Sequence, residues 1–95
     1  MNVKFFDWNE EKNNALKDER SISFEEILVS IADGMLLDII EHPNQSEYPW
    51  QRILVVAVNN YVYVVPCREE DEITYLMTIY PSRKFTKTYR IEGEV

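Results

Sequence analysis

Residues 52–65, RILVVAVNNYVYVV, decide the fold, because two apolar runs meet there at a pair of asparagines. β-Branched and aromatic side chains on both sides of the pair are typical of strands. Residues 52–58, in which an unbroken apolar run follows Arg52, predict a strand buried on both faces. Asn59 and Asn60 tolerate the positive φ angles of a two-residue hairpin turn. We therefore expect residues 61–65 to return as a second, antiparallel strand.

Downstream of this hairpin the sequence predicts one more strand and a short helix. Pro66 lacks an N–H group, so it either ends the preceding strand or marks an edge or a bulge. After an acidic turn, residues 73–80 have strand character, and Pro81 interrupts them. Ser82 is a residue that caps helices well, which predicts a short helix ending at Tyr89.

Upstream of the hairpin the sequence predicts two helices and a strand. Residues 7–10 (DWNE) resemble a capping box with the aspartate as the cap, followed by a charged helix over residues 10–20. A second box at residues 23–26 (SFEE) precedes apolar residues at helical spacing. Gly34 follows where a left-handed C-terminal cap belongs. Residues 35–41 then have strand character, and a polar loop with two prolines comes after them.

The complete order indicates an α+β fold. With a short strand at residues 3–7, it is an N-terminal strand, two helices, an antiparallel sheet of about four strands and a short C-terminal helix. Strands grouped together, with the helices towards the N-terminal side, exclude a doubly wound sheet. The 95 residues have room for a single domain, residues 1–95, with one modest core.

The composition excludes several classes of function. With two glycines in the chain, a glycine-rich loop that cradles a nucleotide has little support. A single cysteine, Cys67, excludes an internal disulfide. The single histidine, His42, cannot hold a zinc ion alone, so we expect no metal and no other cofactor. The N-terminus lacks the apolar core of a signal peptide, and no apolar run approaches the about 20 residues of a membrane span. We therefore expect a cytoplasmic protein without a membrane partner.

Charge is distributed unevenly along the chain. Ten Lys+Arg and seventeen Asp+Glu give a net charge of −7, which argues against general nucleic-acid binding. Residues 73–91 nevertheless contain Arg83, Lys84, Lys87 and Arg90 and no acidic residue, with aromatic residues between these charges. Such a segment predicts a local anion site on an otherwise acidic protein.

Four stretches taken together resemble the BrnT family of bacterial type II toxin–antitoxin toxins. They are residues 6–13 (FDWNEEKN), 22–26 (ISFEE), 37–44 (LDIIEHPN) and 79–87 (IYPSRKFTK), in the family's order. The resemblance implies a RelE-like, barnase-like fold and a ribonuclease that slows growth by cutting RNA. It also implies a cognate antitoxin that binds the toxin and has a DNA-binding segment. Where many members have His-Gly, this chain has Glu19 and Arg20.

RNA cleavage without a metal needs proton transfer and stabilisation of the charged phosphate. We expect Arg83 and Lys84 to hold the scissile phosphate, since a guanidinium binds phosphate oxygens bidentately. His42 is the conventional acid–base candidate, because imidazole titrates near neutral pH. Tyr80 is a further catalytic candidate, with base stacking as another role and a core or half-buried strand position as the favoured structural alternative.

Four further residues are candidates for RNA binding. Lys87 follows Arg83 by four residues, so the two share a helix face, and Lys87 would hold a flanking phosphate. Tyr89 would stack on a base. Arg52 and Arg68 flank the two central strands and would add phosphate contacts, although pairing with Glu47 or Glu69 is the favoured alternative. For Arg83 and Lys84, the structural alternative to phosphate binding is that they are solvated residues at the start of a helix and offset the negative charge of the rest of the protein.

Two functions follow as hypotheses. The first is a metal-independent endoribonuclease toxin that arrests growth and is held inactive by its cognate antitoxin. The second is a non-catalytic interaction module of the same fold, which binds a basic partner or the antitoxin through its acidic surface. The ordered motifs and the basic segment favour the first, and the net charge of −7 favours the second.

Overall fold

The computed structural model describes residues 5–41, 43–48 and 50–89. In chain order the elements are β1 (Phe5–Trp8), α1 (Glu10–Arg20), α2 (Phe24–Ala32), β2 (Leu36–Glu41), β3 (Gln51–Val58), β4 (Tyr61–Glu70), β5 (Ile73–Leu76), β6 (Tyr80–Pro81) and α3 (Arg83–Tyr89). This order confirms the expected α+β class. None of the helices described has the length and the hydropathy needed to span a membrane.

The strands form one sheet in the order β1-β5-β4-β3-β2, and β6 pairs with β4 beyond the end of β5. Strands β2 to β5 pair antiparallel, as expected. Strand β1 runs parallel to β5 at one edge, so the sheet is mixed and has more strands than expected. A parallel pair joins two strands that a long connection separates in the chain, so no local sequence pattern predicts the pairing.

The β3–β4 hairpin has the predicted geometry. Asn59 and Asn60 have φ angles of 52° and 66°, and positive φ at both central positions defines a type I′ turn. Val58 pairs directly with Tyr61 across the turn. Residues 54–58 are all buried, which confirms a strand covered on both faces.

Pro66 lies inside β4 rather than at its end. Its carbonyl accepts a hydrogen bond from the Met77 amide (2.9 Å), in the gap between β5 and β6. The register with β4 shifts by one residue across this gap. Proline has no N–H to donate to this side of the strand. The expectation of one strand over residues 73–80 is therefore wrong, because the ladder divides into β5 and β6 beside Pro66.

One face of the sheet packs against α1 and α2 to form the core. The helical layer and the sheet contribute Leu16, Ile22, Phe24, Ile27, Leu54, Val56, Val58, Val65, Cys67, Leu76 and Ile79. Trp8 stacks on Phe24, with the ring centroids 5.5 Å apart, so the short edge strand β1 also packs on α2.

Asn9 caps the N-terminus of helix α1, and its side chain accepts a hydrogen bond from the Lys12 amide (2.9 Å). Asp7, the expected cap, lies in β1, and its carboxylate accepts a hydrogen bond from the adjacent Trp8 amide (2.8 Å). The predicted cap is therefore two residues too early. Asp and Asn are both good cap residues. Because β1 extends to Trp8, Asp7 lies within the strand and Asn9 is the residue that caps the helix.

Helix α2 has both of its predicted ends. Ser23 Oγ accepts a hydrogen bond from the Glu26 amide (3.2 Å). Gly34 follows the helix with a φ of 85°, and the Met35 amide donates to the Ser30 carbonyl (2.9 Å). This is the hydrogen-bond pattern of a Schellman cap, which requires the left-handed conformation that glycine adopts readily.

A buried asparagine joins α1 to the start of α2. Asn13 is 0% exposed, and its Oδ1 accepts a hydrogen bond from the Phe24 amide (2.8 Å). Its Nδ2 donates to Glu25 Oε1 (2.8 Å). The bond from Asn13 is the main cause that lowers the pKa of the Glu25 carboxyl, because it stabilises the charged form. Asn13 thus gives a partner to an amide that the helix itself leaves unpaired.

Candidate nucleic-acid interface

The described part of the basic segment forms β5, β6 and α3, and Arg90 lies outside the described residues. Strand β6 and helix α3 lie beside β4. Ser82 caps α3 as predicted, since its Oγ accepts a hydrogen bond from the Phe85 amide (3.1 Å). The Ser82 amide donates to the Val62 carbonyl, and the Val62 amide donates to Thr86 Oγ1, both at 2.8 Å. These bonds attach the first turn of α3 to the sheet, so the cations of this helix have a defined position.

Arg83, Lys84 and Lys87 are all exposed on α3. None of the three forms an ion pair with a carboxylate of the residues that the structure describes. Arg83 and Lys87 are four residues apart and therefore lie on one face of the helix. The structure thus gathers three of the predicted phosphate-binding residues on one short helix, where they are available to an anionic partner.

Tyr80 lies in β6 and is 47% exposed, whereas its neighbour Ile79 is fully buried. A role in the core, which the strand pattern left open, is therefore wrong for Tyr80. The ring lies at the surface because β6 pairs with β4 in a register shifted by one residue from that of β5. Since Arg83 follows by three residues, the two α-carbons are at most about 11 Å apart.

Arg20, the last residue of α1, also reaches this surface. Its Nη1 donates to the Ile79 carbonyl (2.7 Å), and its guanidinium carbon lies 5.1 Å from the centroid of the Tyr80 ring. Sequence reasoning missed Arg20 as a member of the site, because 59 positions separate it from Ile79. The one local signal is its place in the Glu-Arg pair that departs from the His-Gly of many BrnT toxins.

Tyr89, the other candidate for base stacking, lies at the end of α3 and is half-buried. Its ring centroid is 6.3 Å from that of Phe85, one helical turn earlier, at an interplanar angle of 40°. Part of the Tyr89 ring is therefore covered by its own helix. Of the two tyrosines, Tyr80 offers the more accessible ring.

Arg52 and Arg68 do not join the α3 cations. Arg52 pairs with Glu69 at 3.7 Å. Arg68 Nε lies 2.9 Å from Glu70 Oε2, in an ion pair whose angle falls outside hydrogen-bond geometry, and its guanidinium carbon lies 5.3 Å from the Tyr75 ring centroid. Arg52 thus has one of the two carboxylate partners expected from the sequence, whereas Arg68 pairs with Glu70, which the sequence did not predict.

The two arginines also lie away from α3 and apart from each other. Val64 faces Tyr80 across the β4–β6 pair, and Arg68 is four residues further along β4, or about 13 Å at the usual rise of a strand. Arg52 pairs with Cys67, the neighbour of Arg68, so the two arginines point to opposite faces of the sheet. The expected contribution of both to one RNA site is therefore not supported by their placement.

His42, the conventional acid–base candidate, lies outside the described residues. Within the described part of the chain, no group of three His, Cys, Asp or Glu side chains is placed to hold a metal ion. The proton-transfer candidate that the structure does place is therefore Tyr80, three residues before Arg83 in the chain.

A surface of opposite charge lies along α2. Glu25, Glu26 and Asp33 line an open hollow of about 390 Å³ between this helix and the β3–β4 turn. Tyr63 lies near it, and its pKa is raised, first by burial and then by the negative charge of Glu26. This hollow has the charge that suits a cationic partner and repels RNA phosphates.

The chain thus has a cationic surface at β6 and α3 and an anionic hollow at α2. Comparison of the chain with family models, with curated proteins and with solved structures gives no match.

Proposed function

We propose that this protein is the toxin of a type II toxin–antitoxin system and cleaves RNA in the cytoplasm without a metal ion. The observation that carries the proposal is the group formed by Arg83, Lys84 and Lys87. These residues are exposed and have no carboxylate partner in the described part of the chain. Three such cations on one short helix create a local positive potential on a protein whose net charge is −7.

The proposed chemistry is an attack of the ribose 2′-oxygen on the adjacent phosphorus. The bond from the 2′-oxygen to phosphorus forms as the bond from phosphorus to the 5′-oxygen breaks, which leaves a 2′,3′-cyclic phosphate and a 5′-hydroxyl. Arg83 and Lys84 stabilise the negative charge that accumulates on the phosphate oxygens. Tyr80 and His42 are the candidates that take the 2′-proton and return a proton to the leaving oxygen.

The test is RNA cleavage by the purified protein in EDTA. We expect cleavage with cyclic-phosphate ends, and its loss in the double variant Arg83→Ala, Lys84→Ala. The matched control is Lys12→Ala, Lys17→Ala, which removes the same charge from the exposed surface of α1 and should keep the activity. Equal cleavage by both double variants would show that α3 does not hold the scissile phosphate.

A cognate antitoxin with a DNA-binding segment is part of the same proposal. Inducible expression of the chain in bacteria should arrest growth and degrade RNA, and expression together with the antitoxin from the neighbouring gene should restore growth. Growth arrest with intact RNA would contradict a ribonuclease. Arrest that the neighbouring gene does not relieve would contradict this antitoxin assignment.

The anionic hollow favours a second candidate function, a non-catalytic interaction module that binds a basic protein segment. Three carboxylates line this hollow, and the region lacks the cations that RNA binding needs. In this case RNA stays intact at high protein concentration, whereas a lysine- and arginine-rich peptide binds. The double variant Glu26→Gln, Asp33→Asn should weaken that binding, and unchanged peptide affinity would contradict the second candidate.

A further inference from the structure

We infer that Arg20 and Tyr80 act together as a base-stacking element that makes the α3 site selective for single-stranded RNA. The inference rests on the proposed function, because the α3 cations hold the neighbouring phosphates. It adds to that function a residue from α1 and a class of substrate.

Two contacts hold the side chain of Arg20 in place. Its Nη1 donates to the Ile79 carbonyl (2.7 Å), and its guanidinium lies over the Tyr80 ring, 5.1 Å from the centroid. A planar guanidinium over a tyrosine ring is a favourable cation–π contact, and the hydrogen bond fixes its orientation. Much of the conformational freedom of this long side chain is therefore lost before any ligand binds.

The pair formed by Arg20 and Tyr80 remains accessible to a ligand. Arg20 is exposed, and no carboxylate of the described residues pairs with it, although Glu19 precedes it in the chain. A guanidinium has five N–H donors, and one of them is used on Ile79. Tyr80 is 47% exposed, and the guanidinium of Arg20 lies over one face of its ring. The opposite face is therefore the surface on which another flat group would stack.

The ligand that suits this pair is a nucleobase. Arg83 and Lys84 follow Tyr80 by three and four residues, so a base of a strand whose phosphate these two residues bind would be within reach of the ring. Stacking of a base on an aromatic side chain accounts for about five- to 150-fold in affinity. A base inside a duplex has both faces covered by its neighbours, so an unpaired strand is the form of RNA that fits.

The experiment measures binding by fluorescence anisotropy with three labelled probes. The first is a 2′-O-methyl oligouridylate of about eight nucleotides, which cannot be cleaved because its 2′-oxygen is blocked. The second is an abasic oligomer of the same length and charge, and the third is a duplex of the same length. We expect the wild-type protein to bind the oligouridylate roughly tenfold more tightly than the abasic oligomer, and also more tightly than the duplex.

Two pairs of variants separate stacking from stability. Tyr80→Leu should remove the difference between the oligouridylate and the abasic oligomer, whereas Tyr80→Phe should keep it because the ring remains. Arg20→Gln retains a donor for the Ile79 carbonyl but loses the guanidinium, and it should weaken binding of the oligouridylate more than that of the abasic oligomer. Lys17→Gln, with the same change of charge in the same helix, is the control and should lower both affinities slightly and equally. Circular dichroism and thermal melting check that each variant is folded.

The inference is overturned if the wild type binds the oligouridylate and the abasic oligomer equally, or if Tyr80→Leu behaves as Tyr80→Phe does. It is also overturned if folded Arg20→Gln behaves as Lys17→Gln does. If Arg20→Gln does not fold, the Tyr80 pair decides. Loss of binding in Arg83→Ala, Lys84→Ala alongside unchanged Tyr80→Leu would refute the stacking element and leave the proposed function standing. A wild-type protein that binds none of the probes would refute both.

Discussion

Asn13 in α1 and Phe24 at the start of α2 are joined by a 2.8 Å hydrogen bond from the Phe24 amide to the Asn13 side chain, which is fully buried. The two residues are 11 positions apart, and the bond connects the first helix to the start of the second. Asn13 belongs to one of the stretches that resemble BrnT toxins, and its role here is structural. The hydrogen bonds of Asn13 predict how substitutions of Asn13 and Glu25 change the stability of the protein.

Asn13→Ala should lower the free energy of unfolding by about 1–3 kcal/mol, because the Phe24 amide would be left buried without a partner. Urea denaturation followed by circular dichroism measures the change. The control is Asn14→Ala, which removes the exposed asparagine next to it in the same helix. If the two variants lose the same stability, the buried hydrogen bonds of Asn13 do not stabilise the helix pair.

The hydrogen bond from Asn13 also predicts a dependence of stability on pH. The pKa of Glu25 is lowered in the folded protein, so the unfolded chain takes up a proton at a higher pH than the folded protein does. The resulting stabilisation is complete above the ordinary value of 4.5 and is lost as the pH falls through the lowered pKa.

Glu25→Gln should therefore make the loss of stability in acid shallower. Urea midpoints measured from neutral pH to well below 4.5 give the slope. Glu19→Gln, an exposed glutamate of α1, is the control and should leave the slope closer to that of the wild type. A slope that Glu25→Gln does not change would contradict the assigned pKa shift.

Gly34→Ala should cost about 1 kcal/mol of stability through the backbone alone. The φ angle at this position is 85°, a conformation that a residue with a β-carbon adopts with strain. An added β-carbon would meet no atom within 4 Å, so no steric clash contributes. Gly34→Asn should cost less, because asparagine tolerates this region better. Thermal melting of both variants measures the difference, and an alanine variant as stable as the wild type would contradict the cap assignment.

RNA binding should weaken with salt if α3 holds phosphates. Contact of the three α3 cations with phosphates of a single strand gives a slope of about −2.1 in a plot of log affinity against log salt concentration. Arg83→Ala, Lys84→Ala should bring the slope to about −0.7, since two contacts are lost. Anisotropy titrations of the uncleavable oligouridylate over a range of salt concentrations measure both slopes. A double variant that keeps the wild-type slope would show that these two residues do not contact the backbone.

The amino-acid sequence by itself determined the elements whose stabilising contacts are local. Asn59 and Asn60 specify the hairpin turn, and Ser23 and Ser82 accept hydrogen bonds from amides three residues ahead. The basic character of α3 is likewise present in the order of its residues, because Arg83, Lys84 and Lys87 are close in the chain. Such features can be predicted because the interacting groups lie within one or two helical turns.

The tertiary structure alone decided which distant residues meet. Pairing of β1 with β5 and the division of the last long strand beside Pro66 depend on partners elsewhere in the sheet. Arg20 reaches Tyr80 because α1 ends beside the gap between β5 and β6. The sequence left Arg52 and Arg68 either to contact phosphate or to pair with a carboxylate, and the fold decides by giving each of them a carboxylate. Electrostatic and stacking contacts depend on distance in space, and the path of the whole chain sets that distance.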